Sequence, residues 1–249
     1  MIKPKPLIGI ALAVCVLVMA VSCNKSLLSN PSTTPIGPSS TIETPSLPTT
    51  PPKTEPNPAS DFAYTVNNDK VSITEYRGSG GDVVIPAEIE GRKVTSIGQN
   101  AFRWCTHLTS INMPNSITNI GNGAFYRCVN LTSVFMTGGV TVIGVEAFAY
   151  CSNLTYVAMP DSMTTIDYAA FSHCASLVDI TIPDSVINIS SNIFFCMIWA
   201  MWTPPPGVTA PVYYVNTCGE RPTVITCSRN SYAHEYCVEN QVPFQLLGE

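Results

Sequence analysis

The sequence predicts a β-rich solenoid with short helical turns, preceded by a signal peptide and a disordered Pro-rich linker. Side chains recur at a fixed spacing of 23 residues, and the recurring segments alternate apolar and polar residues as strands do. An N-terminal apolar run followed by a proline-rich stretch indicates the leader and the linker. The expected segments are a signal peptide at 1–22, a linker at 23–60, an N-terminal β cap at 61–93, repeats at 94–208 and a C-terminal cap at 209–249.

The first 22 residues have the features of a signal peptide. Lys3 and Lys5 precede an uninterrupted apolar run of 15 residues, Leu7 to Val21. This run is shorter than the roughly 20 residues that a membrane-spanning helix needs. The small residues that lead into Cys23 resemble a bacterial lipobox, which implies cleavage before Cys23 and acylation of its thiol. Ala20 stands where a lipobox prefers Leu, and plain secretion or an uncleaved anchor are the alternatives.

The segment after Cys23 has the composition of a spacer. Nine prolines occur in the 28 residues from Pro31 to Pro58, interleaved with Ser and Thr. Such a stretch lacks the apolar side chains needed to fold, and proline favours extended polyproline II at about 3.1 Å per residue. Fully extended, it would reach roughly 80–90 Å. A lipid at Cys23 would therefore tether the folded part at a distance from the membrane.

Folding is expected to begin near Asp61. Apolar residues alternate over Tyr64–Tyr76 around the turn residues Asn67 to Asp69, which predicts a β-hairpin. A short strand is expected at Asp82–Pro86, followed by a turn at Glu90–Arg92.

Five rows of identical residues recur in register over the middle of the chain, and they define four units of 23 residues. The rows are Phe102, Phe125, Phe148, Phe171 and Phe194; Cys105, Cys128, Cys151 and Cys174; Leu108, Leu131, Leu154 and Leu177; Ile97, Ile120, Ile143 and Ile166; and Ala101, Ala124, Ala147 and Ala170. The units are Val94–Ser116, Ile117–Gly139, Val140–Ser162 and Met163–Ser185, and a fifth from Val186 decays, with Cys196 one residue early.

A single unit of this length cannot bury its apolar face, but stacked units share a continuous core with ladders of identical side chains. We therefore expect the Phe and Cys rows to be buried. One strand per unit should join a parallel sheet, from Leu108–Pro114, Leu131–Thr137, Leu154–Pro160 and Leu177–Pro183. The Ile-Gly-x-x-Ala-Phe segments are too short for a helix and should form a short strand entering a helical turn.

The consensus I-G-x-x-A-F-x-x-C-x-x-L-T-x-I-x-x-P-x-S resembles the BspA-like leucine-rich repeats of bacterial surface proteins. The resemblance runs from about Asp61 to the end and includes the closing stretch Asn230–Leu247. The pattern departs from the consensus at Met136–Gly139, at Asp167 and throughout the fifth unit. The resemblance implies a leucine-rich-repeat solenoid and attachment to host matrix proteins or to other bacteria.

Ten cysteines in an exported chain raise the question of disulfides. The four cysteines of the repeat row should point inward as free thiols, because buried Cys behaves as a small apolar residue. Cys218 and Cys227 are the better candidates for a disulfide. Cys237 is expected to pack in a helix-like stretch.

Charge and motifs argue against several functional classes. From Asp61 onward the sequence has eight Lys and Arg residues and fifteen Asp and Glu residues. The resulting formal charge of −7 disfavours binding of nucleic acid. No paired metal-ligand motif and no catalytic signature is present, and His107, His173 and His234 are expected to be exposed or half-exposed side chains. We therefore predict a protein that is not an enzyme and needs no cofactor.

The outward positions of the predicted sheet are the candidate ligand-binding residues on its concave face. They are Ser110, Asn112, Ser133, Phe135, Tyr156, Ala158, Asp179 and Thr181. Phe135 and Tyr156 are the expected anchors, because aromatic residues dominate binding hot spots; the alternative is that they only favour β-structure. The predicted function is binding of a protein ligand, in adhesion by a lipid-anchored cell-surface protein. The alternative is a periplasm-facing lipoprotein that scaffolds envelope partners, and the oligomeric state stays open.

Overall fold

The computed structural model describes residues 53–190, 192–194, 223–240 and 242–248. The expected signal peptide, the lipidation site at Cys23 and most of the linker lie outside the described residues. So do residues 195–222, which include Cys196, Cys218, most of the fifth unit and the first part of the expected C-terminal cap.

The N-terminal region folds as two hairpins and one separate strand. The first hairpin pairs β1 (Phe62–Asn67) with β2 (Lys70–Tyr76), and its turn residues Asn68 and Asp69 have φ values of 49° and 59°. Positive φ at both central positions is the signature of a type I′ turn, which matches the twist of the strands. The second hairpin pairs β4 (Glu88–Ile89) with β5 (Arg92–Ile97). The separate strand β3 (Gly81–Val84) lies between the two hairpins in the chain. The predicted hairpin, strand and turn are confirmed.

Each repeat contributes a short strand, a run of turns and a second strand. The short strands are β5, β7 (Asn119–Ile120), β9 (Val142–Ile143), β11 (Thr165–Ile166) and β13 (Asn188–Ile189). The second strands are β6 (Leu108–Met113), β8 (Ser133–Met136), β10 (Tyr156–Ala158) and β12 (Asp179–Thr181).

The short strands build a parallel ladder that continues the N-terminal hairpin. Its order is β1-β2-β5-β7-β9-β11-β13, with β4 paired to β5, and only β1 and β4 run antiparallel to their neighbours. The register places Ile97, Ile120, Ile143, Ile166 and Ile189 side by side. The N-terminal region is therefore a rung of the solenoid as well as its cap.

The turns between the two strands are tighter than a helix. The N–H of Ala124 donates to the carbonyl of Gly121 at 3.1 Å, and the N–H of Cys128 donates to that of Phe125 at 3.1 Å. Both bonds span three residues, so the predicted helical turn is a pair of successive tight turns. The second unit has no room for a side chain before them, because a Cβ atom at Gly121 would lie 2.7 Å from the amide nitrogen of Gln99, whereas the fourth unit forms the same turn with Asp167 at this position.

The phenylalanine row forms the centre of the core. Ring centroids of Phe102, Phe125, Phe148, Phe171 and Phe194 follow one another at 4.8, 5.0, 5.5 and 6.1 Å, all stacked. Tyr76 extends the stack at the N-terminal end, 5.0 Å from Phe102. All five phenylalanines are buried, as predicted.

The cysteine row lies beside the phenylalanines, and its members form no disulfide with one another, as predicted. Cys128, Cys151 and Cys174 are fully buried, whereas Cys105 is only half-buried because it belongs to the first complete unit. Cys227 is a free, buried thiol in this structure, and its candidate partner Cys218 lies outside the described residues. Cys237 is buried in the C-terminal helix, as expected.

The second strands do not form one continuous sheet, which corrects the prediction for the fourth unit. Strands β3, β6, β8 and β10 pair in parallel, but β12 pairs with a later strand and not with β10. The hydroxyl of Thr132 donates to the carbonyl of Thr109 at 3.0 Å, and that of Thr155 donates to the carbonyl of Thr132 at 3.1 Å. Val178 occupies the next position and has no hydroxyl, so this threonine ladder ends where the pairing ends.

The C-terminal residues cover the last described unit. Strand β14 (Val224–Cys227) pairs with β12 on one side and with β15 (Phe244–Leu246) on the other. Between them lies α1 (Tyr232–Asn240), whose buried residues are Ala233, Tyr236 and Cys237. The predicted helix-like ending is confirmed, and it shields the end of a stack that would otherwise expose its core.

Candidate functional site

The side chains predicted to bind a ligand lie in two parallel rows on the sheet of β6, β8 and β10. The register aligns Ser110, Ser133 and Tyr156 in one row, and Asn112, Phe135 and Ala158 in the other. The rings of Phe135 and Tyr156 contact each other across the rows, with centroids 5.6 Å apart and planes tilted by 47°. We call this surface the sheet face.

The sheet face is less exposed than the sequence predicts. Ser133 is only 4% exposed, so its assignment to solvent is wrong; it lies in the middle strand, in register with Ser110 and Tyr156. The other five side chains are half-buried. At the N-terminal edge, one carboxylate oxygen of Asp82 accepts bonds from the hydroxyls of Thr109 at 2.8 Å and Ser110 at 2.7 Å. These bonds fix the edge of the surface.

Asp179 and Thr181 lie beyond the break in the sheet and are not in register with the other six. Asp179 accepts a hydrogen bond from the hydroxyl of Thr226 at 2.9 Å, so its carboxylate is held by the C-terminal cap. The break leaves a cleft of about 630 Å³ whose lining includes Tyr156, Ala158, Asp161, Thr181, Asp184 and Leu247. Three of the predicted binding residues therefore line one cleft.

A second surface, which the sequence interpretation missed, follows the tight turns. The residue two positions after each phenylalanine is Trp104, Arg127, Tyr150 or His173, and their planar groups stack in that order. The guanidinium of Arg127 lies 4.5 Å from the ring centroid of Trp104 and 5.0 Å from that of Tyr150. The rings of Tyr150 and His173 are 4.1 Å apart with an interplanar angle of 12°. We call these four residues the arginine–aromatic ladder.

Arg103 and Tyr126, each the residue directly after a phenylalanine of the row, flank the ladder. The guanidinium of Arg103 lies 5.0 Å from the ring centroid of Tyr126, and that ring is 5.3 Å from the ring of Tyr150. Trp104 is 52% exposed and Arg103 is exposed, while the other members are half-buried. Aromatic residues and arginine thus form one solvent-accessible surface.

Backbone hydrogen bonds place the ladder. Each of its four residues adopts a left-handed conformation, with φ between 60° and 64°, which costs a non-glycine residue roughly 1–2 kcal/mol. This conformation directs the N–H groups of Trp104, Arg127 and Tyr150 to carbonyls of the next unit, at 2.9, 2.8 and 2.7 Å. Cation–π contacts of about 0.5–1 kcal/mol each help to offset the strain.

The ladder carries positive charge that no described ion pair neutralises. Among the described residues, all ion pairs involve Arg77 or Arg92, and neither Arg103 nor Arg127 forms one. The Nε of Arg127 is buried and has no hydrogen-bond partner there. Burial, and secondly the charge of Arg127, lower the pKa of His173 below its ordinary value of 6.5. His173 is therefore predominantly neutral at neutral pH.

The thiols are poor nucleophiles in the folded chain. Burial is the main cause that raises the pKa of Cys105 and of Cys174 to about 12. Within the described residues, no three His, Cys, Asp or Glu side chains are close enough together to hold a metal ion. His107 is exposed and His173 and His234 are half-buried, as predicted. No helix in the described part of the chain is long and apolar enough to cross a membrane.

Comparison with known families identifies the repeats. Residues 83–197 match the family described as BspA type leucine-rich repeat region, in six copies. The matched region begins within β3, so it includes part of the segment that we expected to be only a cap. No curated protein matches the chain.

Several solved structures resemble the fold. A leucine-rich repeat protein of T. pallidum is 35% identical, with a TM-score of 0.55, over 56% of this chain and 66% of that protein. A leucine-rich repeat protein of Bacteroides ovatus is 28% identical, with a TM-score of 0.48, over 54% and 37%. A leucine-rich cell surface protein of Faecalibacterium prausnitzii is 25% identical, with a TM-score of 0.42, over 57% and 52%. The chain thus spans less than two thirds of the length of each of these proteins.

Proposed function

Residues 83–197 of this protein are a BspA-type leucine-rich repeat region, and we propose that the protein is an adhesin of the bacterial cell surface whose solenoid binds a protein ligand. A lipid on Cys23 anchors it to the membrane and the proline-rich segment holds the repeats away from that membrane. The ligand is a host matrix protein or a protein on another cell. The repeats act as a binding scaffold and not as an enzyme.

The observation that carries this proposal is the pair of aligned rows on the sheet face. Parallel strands in register present side chains at a spacing of about 4.8 Å, which gives a rigid surface that loses little entropy on binding. Phe135 and Tyr156 supply adjacent aromatic side chains on that surface, and aromatic residues are enriched among the residues that dominate interface energies. The cleft beside Tyr156 adds a concave feature that a ligand side chain can enter.

The experiment measures binding of the purified chain to immobilised fibronectin, laminin and collagen by biolayer interferometry. We expect saturable binding to at least one of them, weakened about tenfold or more by Tyr156→Ala and by Phe135→Ala. Ile187→Ala is the matched control, because Ile187 is an apolar side chain that is 69% exposed next to the other sheet. Binding that both aromatic variants retain would exclude the sheet face, and absence of binding to all three proteins would contradict a matrix ligand.

A further inference from the structure

Tyr150, in the middle of the arginine–aromatic ladder, is stacked by neighbours from both sides, while the terminal Trp104 is stacked on one side and is 52% exposed. Arg127 covers one face of Trp104 and one face of Tyr150, while His173 stacks on Tyr150 at 4.1 Å. An aromatic platform that binds a sugar needs an open ring face, and Tyr150 has none to offer. The ladder therefore presents the exposed side of Trp104, the edge of Tyr150 and the N–H groups of two guanidinium ions.

The stacking holds the guanidinium of Arg127 in place between two rings. A guanidinium held between two rings is fixed in its plane, and its donors then bind oxygen acceptors without further loss of side-chain entropy. Arg103 and Arg127 form no ion pair among the described residues, although Glu146 lines the same cleft as Arg103 and Tyr126. The Nε of Arg127 has no acceptor there but is buried, so the terminal N–H groups are the ones left for an external ligand. The chemical group that this arrangement lacks is a carboxylate or another small anion.

The surrounding charge restricts how large that anion can be. The chain from Asp61 onward has a formal charge of −7, so a long polyanion would be repelled by the rest of the surface. Two arginines flanked by Trp104, Tyr126 and Tyr150 fit a short segment with one or two carboxylates and some apolar surface. An acidic stretch of polypeptide has both features, whereas a sulfated glycan has a high charge density and little apolar surface.

We propose that the arginine–aromatic ladder, with Arg103 and Tyr126, is a second docking surface that binds an acidic segment of a partner protein. Arg127 and Arg103 pair with its carboxylates, and the edges of Trp104 and Tyr126 contact its apolar side chains. This surface is formed by the tight turns and not by the sheet face, so it goes beyond the matrix-binding proposal and does not depend on it.

The test measures fluorescence anisotropy of a labelled peptide of alternating Glu and Tyr residues, titrated with the purified full-length chain at low ionic strength. We expect saturable binding that weakens as salt is added, because the contacts are between charges. A peptide with Gln in place of every Glu should bind at least tenfold more weakly. Equal binding of the two peptides, or no saturation below about 1 mM protein, would overturn the proposal.

Substitutions locate the binding on the ladder. Arg127→Gln and Arg103→Gln should each weaken binding of the acidic peptide about tenfold or more, as expected when a charge-assisted hydrogen bond is lost. Arg92→Gln is the control, because Arg92 pairs with Asp69 at 3.1 Å in the turn of the first N-terminal hairpin. Circular dichroism shows whether the Arg127→Gln variant still folds. If it does not, the effect of Arg103→Gln, at an exposed residue, is used to test whether the peptide binds at the ladder. Unchanged binding in a folded Arg103→Gln variant would overturn the proposal.

Two further measurements distinguish the ladder from the sheet face and an acidic protein segment from a sulfated glycan. Tyr156→Ala on the sheet face should leave binding of the acidic peptide unchanged, which distinguishes failure of this proposal from failure of the matrix-binding proposal. Heparin is the competing anion, and it should compete less well than the unlabelled peptide at equal concentration of charge. Heparin that binds more tightly, with the same dependence on Arg103, would identify a sulfated glycan as the ligand and contradict an acidic protein segment.

Discussion

The thiol of Cys128 donates a hydrogen bond of 3.0 Å to the carbonyl oxygen of Phe102, which lies one unit earlier in the solenoid. The same bond joins Cys151 to Phe125 and Cys174 to Phe148, each at 3.2 Å. Each of these carbonyls also accepts a backbone N–H within its own turn. Cysteine fits this position because it is small and apolar and still provides a donor that links adjacent units.

This bond predicts a stability difference within the cysteine row. Cys151→Ala should lower the free energy of unfolding by about 1–2 kcal/mol, because it removes one hydrogen bond and leaves a small void. Cys105→Ala is the matched control, since Cys105 is half-buried and has no thiol-to-carbonyl bond of this kind to any described residue. Urea unfolding followed by circular dichroism measures both variants, and an equal loss in the two would show that the inter-unit bond contributes nothing.

The phenylalanine stack predicts a larger effect. Phe148→Ala should cost about 3–5 kcal/mol, because Phe148 is fully buried between Phe125 and Phe171 and the gap cannot close without moving two units. The measurement is the shift of the thermal unfolding midpoint. Phe244→Ala serves as the control, because Phe244 is 39% exposed at the end of the chain. If the two variants melt at the same temperature, the phenylalanine row does not stabilise the fold.

His173 should make stability depend on pH. Its pKa is lowered in the folded chain, first by burial and second by Arg127, so the unfolded chain binds a proton at higher pH than the folded chain does. The contribution of this group is therefore present above about pH 6.5 and is lost as the pH falls below that value. His173→Gln should reduce the drop in melting temperature between pH 7.5 and about pH 5. A drop in the variant as large as that of the unaltered chain would contradict the assignment.

The lipid anchor that we propose is tested at a single residue. Cys23→Ala should abolish incorporation of labelled palmitate and release the protein from the membrane fraction, because the thiol is the acceptor of the lipid. Cys15→Ala, eight residues earlier in the apolar run, is the control and should retain the label. Continued labelling of Cys23→Ala would eliminate Cys23 as the lipidation site.

The core of the solenoid could be predicted from the sequence because it is built from repetition. Residues such as Phe125, Cys128 and Leu131 are each fully buried, and each recurs at the same position in the other complete units. Stacked units place identical residues in identical surroundings, so the period alone shows which positions face inward. The two N-terminal hairpin turns could be predicted for a different reason, since Asn-Asp and Glu-Gly tolerate the positive φ that these turns require.

The arginine–aromatic ladder could not be found by the same reasoning, because its four residues are all different. They share planar groups with delocalised electrons and a position two residues after phenylalanine. Aligning the units by chemical type instead of by identity would have revealed this row. The break between β10 and β12 was missed because the sequence changes little there. Val178 replaces the threonine found at the same position in the earlier units, and the threonine ladder ends with that one substitution. The burial of Ser133 was missed because alternation along one strand does not report the size of side chains on the neighbouring strands.

Surface display is the central claim, and protease treatment of intact cells tests it most directly. Trypsin or proteinase K is added to unbroken cells, and the repeat region is then followed by immunoblotting. We expect the repeat region to be released into the medium by cleavage in the proline-rich segment while a periplasmic marker stays intact. Full protection of the repeats until the outer envelope is opened would contradict the account and favour a periplasmic scaffold.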